Sequence, residues 1–410
     1  SLLETAKRSP PPVYPRVRPS RLVTNPMPPR ALLLPSHTPE WCRLRKLLED
    51  KLGAVTNPEH LRSFLMDLQR ETGDRTLGAF QLLPDFFEDL PDQLSVPFFS
   101  RTLRTMMHCA LNTEEHFKSM RPIFLLGKDR RGEVHLSALQ CFVLLSLGFL
   151  CIVPFQPLPN MPGINFFRLY NAKPSSRGKF ACLVHYFNCM AASVDRQETK
   201  ELNRVVTFER THRDEARGWD SVEVVMSRLY DMPLTDVVVK TENDLIEDRP
   251  EALQADFAAS MLGGGILGHG CVQEEIRFAI APELICSRIL VTGLGENEAA
   301  LFTGARTFSK YTGYADSFAF DGDGRDGEGG RAVVGEDTIR LPPSGRDRDK
   351  EREVFQRKVV TVVAIDAISY GKSEQNRLRQ FQPKHVLRDL NKVSAGLFGR
   401  GRDGKESIGR

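Results

Sequence analysis

The sequence lacks a dominant charge: 56 Lys and Arg stand against 53 Asp and Glu, a formal net charge of +3 over 410 residues. That balance gives no basis for nonspecific attraction to nucleic acid, so any polyanion must be recognised at a local site. The commonest metal-ligand spacings are also missing. The eight cysteines (Cys42, Cys109, Cys141, Cys151, Cys182, Cys189, Cys271 and Cys286) form no C-x-x-C pair, and no H-x-x-x-H is present. Free, mostly buried thiols are expected, with no metal and no cofactor. Long apolar runs are scarce. Leu139 to Phe155 is slightly short for a bilayer span, is interrupted by Gln140, Ser146 and Gly148 and meets Pro154 near its end, so it is expected to be a buried core helix. Ser1 to Leu22 is polar, basic and proline-rich, without the apolar core of a secretory signal. A nuclear or cytoplasmic protein is expected. No heptad run points to self-association, and a monomer is expected.

What is present falls into contrasting stretches. Pro10, Pro11, Pro12 and Pro15 with interspersed arginines favour extended chain, so residues 1–38 are expected to be flexible. From residue 39 to 197 apolar residues recur at three and four, as in Trp41, Leu44, Leu47 and Leu48, and an all-helical domain is expected. From 198 to 398 the texture changes. Short β-rich runs (Val205 to Phe208, Val237 to Lys240, Leu284 to Ile289, Ala299 to Thr303, Val359 to Ile365) alternate with helical stretches. An α/β layer fold with a mostly buried mixed sheet follows, with VVTVVAID as a central strand. Residues 321–353, rich in Gly, Asp and Arg, and the tail 399–410 lack the apolar content that ordering requires.

The chemistry concentrates between Gln254 and Ile285. Gly263, Gly264 and Gly265 remove successive Cβ atoms, which would let backbone amides approach a diphosphate. Gln273, Glu274 and Glu275 precede Ile276, Ala279 and Ile280 at helical spacing, placing both acids in a first turn. Alone, such a pair reads as dipole capping. Adjacent helical side chains diverge by roughly 100°, so one acid can act while the other positions. Gly263, Gly265 and Gly268 also satisfy G-x-G-x-x-G, but they lie late in the chain after a short stretch, without the expected acidic residue about twenty positions on.

The G-G-G followed by Q-E-E resembles the signature of the poly(ADP-ribose) glycohydrolases. The likeness extends to IRFAIAPELI (Ile276 to Ile285), SKYTGYAD (Ser309 to Asp316), INFFRLY (Ile164 to Tyr170) and KFACLVHYF (Lys179 to Phe187). It implies a macrodomain-like mixed sheet flanked by helices and preceded by a helical accessory domain, hydrolysing ribose–ribose bonds of poly(ADP-ribose) to release ADP-ribose. Glu275 would then be the catalytic acid, Glu274 would orient the ribose, and Asp256 would support the site. Ile246 and Glu247 resemble the family's adenine contacts. Gln273 lies nearby, and Tyr311, Tyr314 and Asn391 resemble further ligand contacts. The partners so implied are poly(ADP-ribose) and ADP-ribosylated proteins, with no membrane and no sequence-specific nucleic acid.

Two positions depart from the family pattern: Ala259 replaces an asparagine that hydrogen-bonds the distal ribose, and Leu397 stands where a phenylalanine is expected, one position before Phe398. The first leaves a second reading open, an ADP-ribose binding module with impaired hydrolysis. Exo or endo preference and action on mono-ADP-ribosylated proteins also stay open.

Overall fold

The computed structural model describes residues 30–72, 80–120, 122–156, 161–173, 176–212, 237–239, 245–249, 252–324, 359–371 and 373–398. Helical periodicity sets the first half. Helix α1 (Trp41–Lys51) buries Leu44 and Leu48, and α2 (Pro58–Thr72) buries Leu61, Phe64, Leu65 and Leu68. In α3 (Leu103–Leu111) the buried set includes Leu103, Met106, Met107 and Ala110, again one stripe at three and four. The apolar run forms α4 (Ala138–Phe149), in which every residue except Leu139 is buried. Ser137 caps it: its hydroxyl accepts from Gln140 N at 3.1 Å, while Gln140 Oε1 accepts from Ser137 N at 2.8 Å. With each buried Leu, Val or Phe contributing roughly 1.5–3 kcal/mol, this short helix anchors the interior. Beside it runs α5 (Arg177–Asp195), and Phe149, Phe166, Tyr170, Phe180 and Phe187 form a chain of tilted and edge-on ring contacts between them.

Five strands form the main sheet: β1 (Gly132–Ser137), β2 (Val205–His212), β3 (Leu253–Ala258), β4 (Glu298–Arg306) and, after the hairpin strands β5 (Ser309–Thr312) and β6 (Ala319–Asp323), β7 (Val359–Asp366). Their order is β1-β2-β4-β7-β3. Only β3 and β7 pair in parallel, Asp256 opposite Ala364 and Ala258 opposite Asp366; the other three pairings are antiparallel. VVTVVAID is an interior strand, as its buried Val360, Val362, Val363 and Ala364 require. Helix α6 (Gln273–Ile280) packs against β3 and α5, and α7 (Pro383–Phe398) covers β4 and β7. Arg210 and Glu298, both fully buried, tie β2 to β4 through a two-pronged ion pair.

Several expectations are corrected. The stretch expected to be all helical contributes β1, an edge strand of the sheet, because V-H-L alternates inward and outward over too few residues to stand out. Leu284 to Ile289 is not a strand. Pro282 starts a 3₁₀ turn, Pro282–Cys286, which continues as a helical turn, Ser287–Leu290, with all nine residues buried. A short run buried on every side, its Glu283, Ser287 and Arg288 included, carries no period that separates the two conformations. Val237, Val238 and Val239 are irregular and at least 74% exposed; Lys240 lies outside the described residues. The core helix ends at Phe149, not near Pro154, where Cys151 takes a positive φ of 57°. Among the described residues no helix is long and apolar enough to cross a membrane.

The expected flexible start is packed from Arg30 onward: Leu32 N donates to Ile123 O at 2.8 Å, and Leu32 and Leu34 are buried. Residues 1–29 lie outside the description, as do 325–353 of the expected insertion and the tail 399–410. The insertion's first residues, Asp321 to Asp323, belong to β6, paired with β5.

Candidate active site

Asp256 lies on the inward face of edge strand β3 and is 1% exposed. Its outward neighbours leave backbone groups on the free side of the sheet, and Gln273, the first residue of α6, takes them up. Phe257 N donates to Gln273 Oε1 at 2.9 Å, and Gln273 Nε2 donates to Ala255 O at 3.0 Å. The side chain expected near the adenine is therefore a latch that fixes the start of α6 against β3.

That latch places the two glutamates. Glu274 accepts from Ala259 N at 2.9 Å and Gly263 N at 2.7 Å. Glu275 accepts from Gly265 N at 2.7 Å and, reaching back over its own turn, from Val272 N at 2.9 Å. Both are buried. Although neighbouring helical side chains leave the backbone in different directions, these two converge. A Cβ on Gly264 would lie 2.4 Å from Glu275 Oε1 and 2.7 Å from Glu274 Oε2, and one on Gly270 would lie 2.5 Å from Glu275 Oε1. The glycines are needed because carboxylate oxygens occupy the space a side chain would take, and Gly264 also adopts a φ of +42°.

This corrects the expected role of the glycine run. Gly263 N and Gly265 N serve the glutamates, and Gly264 N turns inward to Met261 O at 3.3 Å. None of the three amides is left aimed at a diphosphate. The loop is an anion cradle of the kind that binds phosphate, but its anions are the protein's own carboxylates.

The opposite faces of the same peptides are held by two buried cations that the sequence reading did not single out. Lys179, from α5, donates through Nζ to the carbonyls of Gly265 at 3.2 Å, Gly268 at 2.8 Å and Gly270. Arg288 donates to Leu262 O at 3.1 Å, Gly264 O at 2.9 Å and Gly163 O at 2.9 Å. Burial lowers both, Lys179 to about 8 and Arg288 to about 10, against the opposing pull of nearby acids that include Glu275. Lysine in KFACLVHYF is the available signal for the first, but an isolated lysine in an apolar helix does not name its partner.

Burial and the neighbouring charge of Asp256 raise the Glu274 carboxyl to about 8, with Glu275 adding to the effect and the two backbone donors opposing it. Asp256 rises to about 7, chiefly through burial, with the Arg277 guanidinium resisting the rise and Glu275 and Glu247 promoting it. Burial and mutual repulsion thus bias both carboxyls toward their protonated forms. Neither Asp256 oxygen, nor any Arg277 nitrogen, finds a hydrogen-bond partner among the described residues. Arg277 is 1% exposed and lies within electrostatic reach of Glu247, Asp256 and Tyr311.

Ile246 and Glu247 form a half-buried 3₁₀ turn, Ile246–Asp248. Tyr311, on β5, is half-buried and raised to about 12 by burial and by Glu247 and Asp248. Thus Glu247, Asp256, Glu275, Arg277 and Tyr311 form one electrostatic neighbourhood. Tyr314 follows the hairpin strand, 54% exposed, where its ring is available to a ligand. Asn391 stands on another element, buried in α7 beside Lys392. Ala259 is half-buried and contributes only backbone to Glu274, and Leu397 is 46% exposed near the end of α7.

Comparison with known proteins matches residues 90–210 to the helical domain model of poly(ADP-ribose) glycohydrolase and residues 226–408 to its macro domain fold model. The chain is 31% identical over 370 residues to Poly(ADP-ribose) glycohydrolase 1 of Arabidopsis thaliana, covering 84% of this chain and 60% of that protein. Probable poly(ADP-ribose) glycohydrolase 2 of the same plant is 27% identical over 364 residues, covering 83% and 63%. Poly(ADP-ribose) glycohydrolase 1 of Caenorhabditis elegans is 34% identical over 160 residues, 38% of this chain and 18% of that protein. The chain thus spans about three-fifths of the length of the plant relatives. With both domain models matched in order and the sheet and helices arranged as they require, the chain belongs to the poly(ADP-ribose) glycohydrolase family.

Proposed function

We propose that this chain hydrolyses the ribose–ribose O-glycosidic bonds of poly(ADP-ribose) and releases ADP-ribose, with Glu275 acting first as acid and then as base. The observation that carries the reading is the seating of two buried carboxylates on one glycine loop, each fixed by two backbone amides. Such fixed groups supply orientation without reorganisation during the reaction.

Glu275 donates a proton to the bridging oxygen as the bond from the anomeric carbon breaks, so the departing ribose leaves as a neutral alcohol. Positive charge develops at the anomeric carbon and its ring oxygen. Water then adds to that carbon and returns one proton to Glu275, restoring the starting state. Glu274 orients the ribose and buried Asp256 supports the site from β3; burial raises both carboxyls, which lessens the negative charge set beside the diphosphate. Ile246, Glu247 and Tyr314 receive the adenosine end.

Ala259 favours a second reading, a binding module, because no side-chain amide follows β3 to align the distal ribose. One experiment separates the two: release of ADP-ribose from purified polymer by wild type and Glu275→Gln at matched polymer occupancy. Release abolished by the substitution with binding retained supports hydrolysis. Tight binding without release by either protein overturns it and leaves the binding module.

A further inference from the structure

Away from the glutamates, three potential ligands meet where the β5–β6 hairpin rests on α5. His185 and Cys189 are one helical turn apart on α5, and Asp323 ends β6. Their ligating atoms all lie within 4.8 Å of one another. His185 Nε2 is 3.4 Å from Cys189 Sγ and 3.7 Å from Asp323 Oδ2. A tetrahedral zinc ion with bonds of about 2.0–2.3 Å separates its ligand atoms by about 3.3–3.6 Å, so the observed spacings are close to two edges of that tetrahedron.

The surroundings also suit a metal. His185 is 7% exposed, and its other nitrogen, Nδ1, lies 3.1 Å from Ser309 Oγ on β5. Asp323 and Cys189 favour a proton on the imidazole; an ion that displaces it from Nε2 leaves Nδ1–H to donate to the Ser309 hydroxyl, the arrangement that orients metal-bound histidines. Phe320 packs on the imidazole with ring centroids 5.2 Å apart, limiting its rotation. Cys189 and Asp323 are half-buried, which leaves a fourth position open to water. A thiolate, an imidazole and a carboxylate form a donor set suited to zinc rather than to magnesium or calcium.

We propose that His185, Cys189 and Asp323 bind one zinc-class divalent ion that pins the tyrosine-bearing β5–β6 hairpin to α5. The ion is structural: it joins the helical part to the segment that carries Tyr311 and leads to Tyr314. The other His/acid group, Asp129, His212 and Glu298, serves as an internal control, since Glu298 is already held by Arg210 and by the amides of Asp129 and Gly295.

The test uses the full chain after chelator treatment, titrated with cobalt(II) and then displaced with zinc(II). One equivalent of cobalt should give a thiolate charge-transfer band that disappears in Cys189→Ser, weakens in Asp323→Asn and persists in His212→Ala. A second measurement needs no variant: zinc should slow alkylation of Cys189, mapped by mass spectrometry, by at least about tenfold while exposed Cys42 reacts unchanged. Absence of the band in wild type, its persistence in folded Cys189→Ser, or equal alkylation rates with and without zinc would each overturn the proposal.

Discussion

At the scale of single residues, the site is defined by what its glycines exclude. Gly264→Ala places a methyl carbon against both glutamate carboxylates. If the proposed hydrolysis holds, release of ADP-ribose should fall by about a hundredfold or more, since displacement of order 1 Å is enough. Single-turnover assay beside a thermal melt checks that the loss exceeds any unfolding. Ala259→Asn runs the other way: restoring an amide beside the ribose should raise turnover about tenfold or more. No gain would show that Ala259 does not limit positioning. Asp256 supplies a pH prediction. Because its folded-state value is raised from 3.8 to about 7, its stabilising contribution is complete below the unfolded value and is lost as pH rises through about 7. The melting temperature of Asp256→Asn should therefore rise relative to wild type between about pH 4 and pH 7 and level off above, and a constant offset would contradict this assignment. The glutamates, Gly264 and the tyrosine segment were legible as sequence because they recur at family spacing. Lys179 and Arg288 were not, since their ligands are backbone carbonyls, which leave no residue-type signature.

At the scale of elements, the glycine loop is held between α6 on its amide side and α5 with Arg288 on its carbonyl side. Lys179→Met keeps length but removes the ammonium from three carbonyls. Gly265 O keeps the amides of Gly268 and Gly270, and Gly268 O keeps Ser176 Oγ, so Gly270 O bears the loss; a buried carbonyl left without a donor costs about 1–3 kcal/mol, and urea unfolding should shift by about that much. Loss of stability below about 1 kcal/mol would mean the loop is held mainly by its glutamates. The same scale explains the misread segments. Leu284 to Ile289, apolar but for Ser287 and Arg288, turns helical because Pro282 fixes φ at its start. Val134 and Leu136 do alternate, but six residues of strand within a long helical region carry little weight until Val206 and Phe208 are seen beside them.

At the scale of the molecule, the helical half and the sheet share one apolar interior, which runs from Leu44 through Phe142 and Phe187 to Phe278 and Val362. Strand β1 belongs in sequence to the first and in space to the second. Calorimetry should therefore show a single cooperative transition, with van't Hoff and calorimetric enthalpies in agreement. Two resolved transitions would show that the domains matched as separate models also unfold separately.

The latch between Gln273 and β3 has a consequence beyond the site. An open sheet ends in unpaired backbone groups, and β3 would offer Phe257 N–H, Ala255 C=O and a largely exposed Phe257 ring as a template for another chain's strand. Gln273 mimics a neighbouring strand with a single amide and, among the described residues, ends the sheet there. The residue beside the two glutamates thus also occupies backbone groups that edge-to-edge pairing would need, so one side chain serves both the site and the sheet's margin.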